Sequence, residues 1–139
     1  MTQVEFHHNA PDRRLAVCRL IATKAAGGER VLVYAPDGAM AEAIDQALWS
    51  FDALSFVPHC REGSMLAGET PVVIAGHTGL EAKVLVNYSD VIPPDVDRFA
   101  ILVEVVGRDA ADREAARTRF RQYRERGFAL ATHDLSEAN

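Results

Sequence analysis

Residues 2–7 alternate, with Val4 and Phe6 set between Gln3, Glu5 and His7, which predicts a strand with one buried face. Asn9 or Asp12 then supplies a helix cap with Pro11 near the first turn. Leu15, Cys18, Ile21, Ala22 and Ala25 recur at helical spacing until Gly27-Gly28 stops the helix. Residues 30–35 are almost continuously apolar, as in a strand covered on both faces. Asp37-Gly38 opens a second helix with Met40, Ala43, Ile44, Ala47 and Leu48 inward. Further on, residues 59–70 are polar and read as a loop, and residues 72–75, 83–88 and 99–106 as strands. Gly76-His77-Thr78-Gly79 and Pro93-Pro94 punctuate them. Asp109 or Asp112 opens a long final helix that Gly127 ends, residues 128–131 add a short last strand, and residues 136–139 read as a frayed end. The β-α-β-α opening predicts one α/β domain over residues 1–139, a three-layer α/β/α sandwich around a mostly parallel, mixed sheet.

Two segments depart from this regularity. Residues 49–59 hold Trp49, the single tryptophan, followed by Phe51, Leu54, Phe56 and Val57 and ended by Pro58, with no clean helical or strand period. Such a stretch is either a buried connector or a surface for another protein. The final helix region is unusually basic. Arg108, Arg113, Arg117, Arg119, Arg121, Arg124 and Arg126 stand against only Asp109, Asp112, Glu114 and Glu125. Arg113, Arg117, Arg121 and Arg124 fall within about 80° on a helical wheel. Phe120 borders that stripe, and Ala116 and Tyr123 continue the apolar side. A solvated cationic face accounts for the pattern. So does a shallow site for a short acidic peptide ending in an aromatic residue or a free carboxylate.

Composition narrows the chemistry. The chain has 139 residues, 48% of them hydrophobic and 25% charged, and a formal net charge of -5, which argues against binding nucleic acid over its whole surface. Cys18 and Cys60 make neither a metal spacing nor a disulfide framework, so a reducing cytoplasm is expected. The amino end lacks the basic flank and apolar run of a signal peptide, and no segment has the ~20 apolar residues of a membrane helix.

The turn after the first strand, His7-His8-Asn9-Ala10-Pro11-Asp12, has no glycines to cradle a pyrophosphate. Gly76-His77-Thr78-Gly79 lacks the Gly-Lys-Ser/Thr ending and leads into a strand. Cys60 has only adjacent His59 as a base, and side chains of neighbouring extended residues point apart. His7-His8 lacks a third ligand at workable spacing. No catalytic residue, cofactor site or metal site is expected.

Larger motifs carry a resemblance. Ala47-Leu48-Trp49 and Ser55-Phe56-Val57-Pro58-His59, followed far downstream by Ala116-Arg117-x-Arg119-Phe120-x-x-Tyr123-Arg124-x-x-Gly127-Phe128, resemble the chi subunits of bacterial DNA polymerase III holoenzyme along essentially the whole chain. That resemblance implies a Rossmann-like fold without a nucleotide site. It implies an accessory, non-catalytic role in a DNA-directed DNA polymerase complex during replication. The partners it implies are the psi subunit of the clamp loader, or a substitute, and the acidic C-terminal tail of single-stranded DNA-binding protein. A repair helicase competing for the psi surface is also implied, with DNA contacted mainly indirectly and no membrane. Trp49, Phe56 and Pro58, with neighbouring Val57, match the psi-facing surface. Arg113, Arg117, Phe120 and Arg121 match the tail site, with Tyr123 and Arg124 beside them. Family members often carry Val-Pro between the last long strand and the last helix, where this chain has Val105-Val106-Gly107-Arg108-Asp109. The competing reading is a small-molecule or nucleotide-binding α/β enzyme, which rests on the element order alone.

Overall fold

A computed structural model describes residues 2–136. Its strands are β1 (Gln3–Ala10), β2 (Val31–Tyr34), β3 (His59–Arg61), β4 (Val72–Ala75), β5 (Val84–Asn87), β6 (Ile101–Gly107) and β7 (Ala129–Asp134). The helices are α1 (Arg13–Ala26), α2 (Gly38–Ser50) and α3 (Ala110–Glu125). Among the described residues none of these helices is long and apolar enough to cross a membrane. The last three residues of the expected frayed end lie outside the described residues.

The strands form one sheet in the order β3-β4-β2-β5-β6-β1-β7, and every pairing is parallel. The fully buried strands β2, β4 and β5 take interior positions, where both faces are covered. On one face α1 and α2 pack Val17, Cys18, Ile21, Ala41, Ile44 and Leu48 onto Val31, Val33, Val84, Val86 and Val103. On the other, α3 sets Ala116 and Tyr123 against Val4, Phe6, Leu85, Leu102 and Val106. The expected sandwich is therefore present, with the sheet parallel throughout.

Caps decide the helix ends. Asp12 rather than Asn9 caps α1, accepting from the Leu15 N–H, and Asp37 caps α2. Asp109 rather than Asp112 caps α3, which leaves Asp112 free to pair with Arg13 at 3.5 Å. Gly127, at φ +83, takes the left-handed conformation that ends α3. One expectation is corrected. Residues 59–61 do not belong to a loop but form β3, the sheet edge beside β4. Three residues carry no readable period of their own, and only pairing to a distant strand makes them β.

The junction between α3 and the sheet is polar. Glu104 of β6 is completely buried. Its carboxylate receives Arg119 Nη2 at 3.2 Å, Tyr123 Oη at 2.6 Å and Asn87 Nδ2 at 3.0 Å. Arg119 Nη1 donates onward to the Asp90 carbonyl, and Ser89 Oγ to Asn87 Oδ1. Burial, reinforced by the adjacent carboxylate, pushes the Tyr123 phenol far above its usual pKa, so it remains a donor. Removing one partner of such a pair strands a buried charge. Glu104→Gln is expected to lower unfolding stability by about 3 kcal/mol or more, read from a shifted denaturant midpoint at unchanged m-value.

Candidate functional site

Consecutive strands of a parallel sheet that send their helices to opposite faces leave a crevice at their carboxyl ends. β1 and β6 are such a pair, since α1 follows β1 onto one face and α3 follows β6 onto the other. Arg13 occupies the centre of this crevice. Its guanidinium donates to the carbonyls of Val105 at 3.1 Å and Ser89 at 2.8 Å, and pairs with Asp90 and Asp112. Gly107 permits the close approach of α3 here, because a Cβ at this position would stand 3.0 Å from Asp112 Oδ2.

Beside the Arg13 side chain, a groove of about 420 Å³ opens between α3 and the edge of the sheet. Arg113, Ala116, Arg117 and Phe120 of α3 form one wall; Phe6, His8, Asn9, Val106 and Thr132 form the floor and the other wall. Phe120 is held edge-on to Phe6, with centroids 5.2 Å apart. The register of β1 slips between His7 and Ala10, where Asn9 adopts φ 61 and donates to Asp134 Oδ1 at 3.3 Å. This irregularity places the polar pair His8 and Asn9 at the rim. The groove thus combines two exposed guanidinium groups with an aromatic and valine floor.

The structure sorts the anticipated residues. Arg113, Arg117 and Phe120 line the groove together. Arg121 lines a separate depression on the outer face of α3, which Glu114 also lines and which shares Arg113 and Arg117 with the groove. Arg124 is exposed one turn further and lines neither. Tyr123 is fully buried in the Glu104 network, so its hydroxyl faces the core. Phe6, His8, Asn9, Val106 and Thr132 carry no sequence signal for the groove, since strand order alone brings them to α3. Val106, just ahead of Gly107 at the end of β6, faces the groove.

The last turn of α2, which holds Trp49, and the aperiodic segment after it form a ridge at the opposite edge of the sheet. Trp49 is 55% exposed, Phe56 70% and Leu54 97%. Pro58 is exposed too, whereas Val57 turns inward and belongs to the core. Beneath Trp49 lies the His59 ring, with centroids 4.4 Å apart. His59 is itself fixed by contacts with the Val57 carbonyl at 2.7 Å and the Asp45 carbonyl at 3.0 Å. Six strand steps of about 4.8 Å lie between the first and last strands, so ridge and groove stand roughly 25–30 Å apart.

Elsewhere the nucleotide-like loop closes on itself. The Gly76 N–H donates to the Glu62 carboxylate and the Gly79 N–H to His77 Nδ1. Cys18 is wholly buried, and burial pushes its thiol up to about 11. It is expected to stay unalkylated by iodoacetamide at pH 8 in the folded protein and to react fully once denatured, as read by intact mass.

Fold and site define a doubly wound parallel α/β domain with a cation-lined apolar groove at one sheet edge and an aromatic ridge at the other. The chain belongs to the DNA polymerase III chi subunit family: the family model described as "DNA polymerase III chi subunit, HolC" matches residues 1–131. The chain is similar to the DNA polymerase III subunit chi of Pseudomonas aeruginosa, at 32% identity over 139 residues, covering 97% of this chain and 98% of that protein. Its similarity to the subunit chi of Haemophilus influenzae is 32% over 121 residues, covering 85% and 84% of the two chains. To that of Escherichia coli it is 32% over 119 residues, covering 84% and 81%.

Proposed function

We propose that this protein is a non-catalytic adaptor of the replicative DNA polymerase, with separate surfaces for single-stranded DNA-binding protein and for the clamp loader. Family membership supports an accessory place in the polymerase complex. The observation that carries the tail assignment is the groove itself, in which Arg113 and Arg117 flank a floor of Phe6, Phe120 and Val106. An acidic peptide ending in an apolar aromatic residue complements both parts. Its carboxylates meet the guanidinium groups, and its terminal ring enters against Phe120. Arg121 extends the cationic strip for acidic residues upstream in the tail. The psi subunit, or a substitute, covers Trp49, Phe56 and Pro58, whose exposed aromatic area suits a protein contact. A repair helicase competing for the psi-facing surface takes the same ridge.

A fluorescent peptide ending Asp-Asp-hydrophobic-Pro-Phe is expected to bind at low salt and to weaken as salt is raised. Arg117→Ala is expected to weaken it by about three- to tenfold in anisotropy titrations, since one charge-assisted contact is lost. Unchanged affinity in that variant removes the groove assignment.

Trp49→Ala is expected to abolish co-purification with the psi or substitute clamp-loader subunit while leaving tail-peptide affinity at the wild-type value. Retention of that subunit by the variant rules out the ridge as its docking surface.

A further inference from the structure

On the α1 face of the sheet, away from both surfaces, β1 and β7 gather three groups that no linear spacing reveals. Glu5 and His7 are two residues apart on β1 and point to the same side. His133 stands opposite His7 in the parallel register of β1 and β7. His7 Nε2 lies 3.2 Å from Glu5 Oε1, and the His7 and His133 rings stack with centroids 4.6 Å apart. One ligand atom from each of the three lies within 4.8 Å of the others.

We propose that Glu5, His7 and His133 bind a divalent transition-metal ion of the zinc type, which clips the edge strand β7 to β1. The ligand set selects the ion class. Two imidazoles and one carboxylate suit zinc and its neighbours, whereas calcium and magnesium require mostly oxygen ligands. Ligands held about 2.1 Å from a tetrahedral zinc stand about 3.4 Å from one another, close to the present separation of Glu5 and His7. Both belong to β1, which is held between β6 and β7 and so presents them in fixed positions. His133 is exposed, so its ring is free of the packing that fixes His7, and one of its nitrogens already lies within 4.8 Å of the other two ligand atoms. Among the described residues the outer side of β7 pairs with no other strand, so water can complete the coordination.

Lys24 Nζ contacts Glu5 at 3.1 Å, but through Oε2, which leaves Oε1 facing His7 as a single-oxygen ligand. The nearby ammonium sets a modest affinity and disfavours hard cations that rely on charge. Without metal, His7 contacts Glu5 and stacks on His133, and Lys24 donates to Glu5.

The test is calorimetric titration of the untagged, chelator-treated full chain with Zn²⁺, accompanied by thermal unfolding. Wild type is expected to bind one ion and to unfold at a higher midpoint with added Zn²⁺. His133→Ala and His133→Gln, both changes at an exposed side chain, are expected to keep the fold by circular dichroism and to weaken binding about tenfold or more. His77→Ala removes the exposed Glu62–His77 pair, 3.2 Å apart, and is expected to bind as wild type. Absence of binding by wild type, wild-type affinity in both His133 variants, or loss of binding in His77→Ala each overturns the proposal.

Discussion

A carboxylate with no access to water is the constraint on which this structure turns. Glu104 lies in a strand of otherwise apolar residues, at the centre of a parallel sheet whose faces are both covered. Such a charge is tolerable only when its oxygens are fully engaged. Arg119 and Tyr123 come from successive turns of α3, and Asn87 from the adjacent strand β5. Helix α3 cannot rotate or slide without breaking these contacts. Its roll over the sheet is thereby fixed, and with it the outward direction of Arg113, Arg117 and Phe120.

The same end of the sheet shows how a nucleotide-type architecture serves other ends. The crevice at the carboxyl ends of β1 and β6 holds the Arg13 side chain, tied to two carbonyls and two carboxylates. Gly107 lets α3 settle close to it. The space that remains is displaced sideways, onto the α3 face between β1, β6 and β7, and it is lined by cations and apolar rings. Ridge and groove then lie at opposite sheet edges, far enough apart for two partners to be held without competing for area.

Much of the architecture was legible because it is written in local signals. Asp12, Asp37 and Asp109 sit where caps belong, glycines close α1 and α3, and the near-continuous apolar strands indicate burial on both faces. The arginine stripe was readable for the same reason, since a 100° step places those side chains on one face whatever lies beneath. Local signals failed where a partner far along the chain decides the outcome. β3 exists through its pairing with β4. Arg119 counted only among the basic residues of the final helix, and Tyr123 stood beside the tail site through the resemblance alone, yet the buried Glu104 draws both inward. Val57 sits among exposed neighbours in a segment without period, and its burial follows from the turn of the chain between α2 and β3.

The sequence alone therefore determined the succession of the helices and of every strand but β3, the ends of α1 and α3 to within two candidate caps each, the basic face of α3 and, through its two separated motifs, the chi family. Each depends on the residue itself or on neighbours within a turn or two. Tertiary structure decided which of the aromatic and basic residues point outward, and what stands across from them. Phe6, His8, Val106 and Thr132 become one groove, and Glu5, His7 and His133 one cluster, only because β1 lies between β6 and β7. That order is set by long-range burial and by the pairing of parallel strands separated by about a hundred residues or more of chain, which no local pattern records.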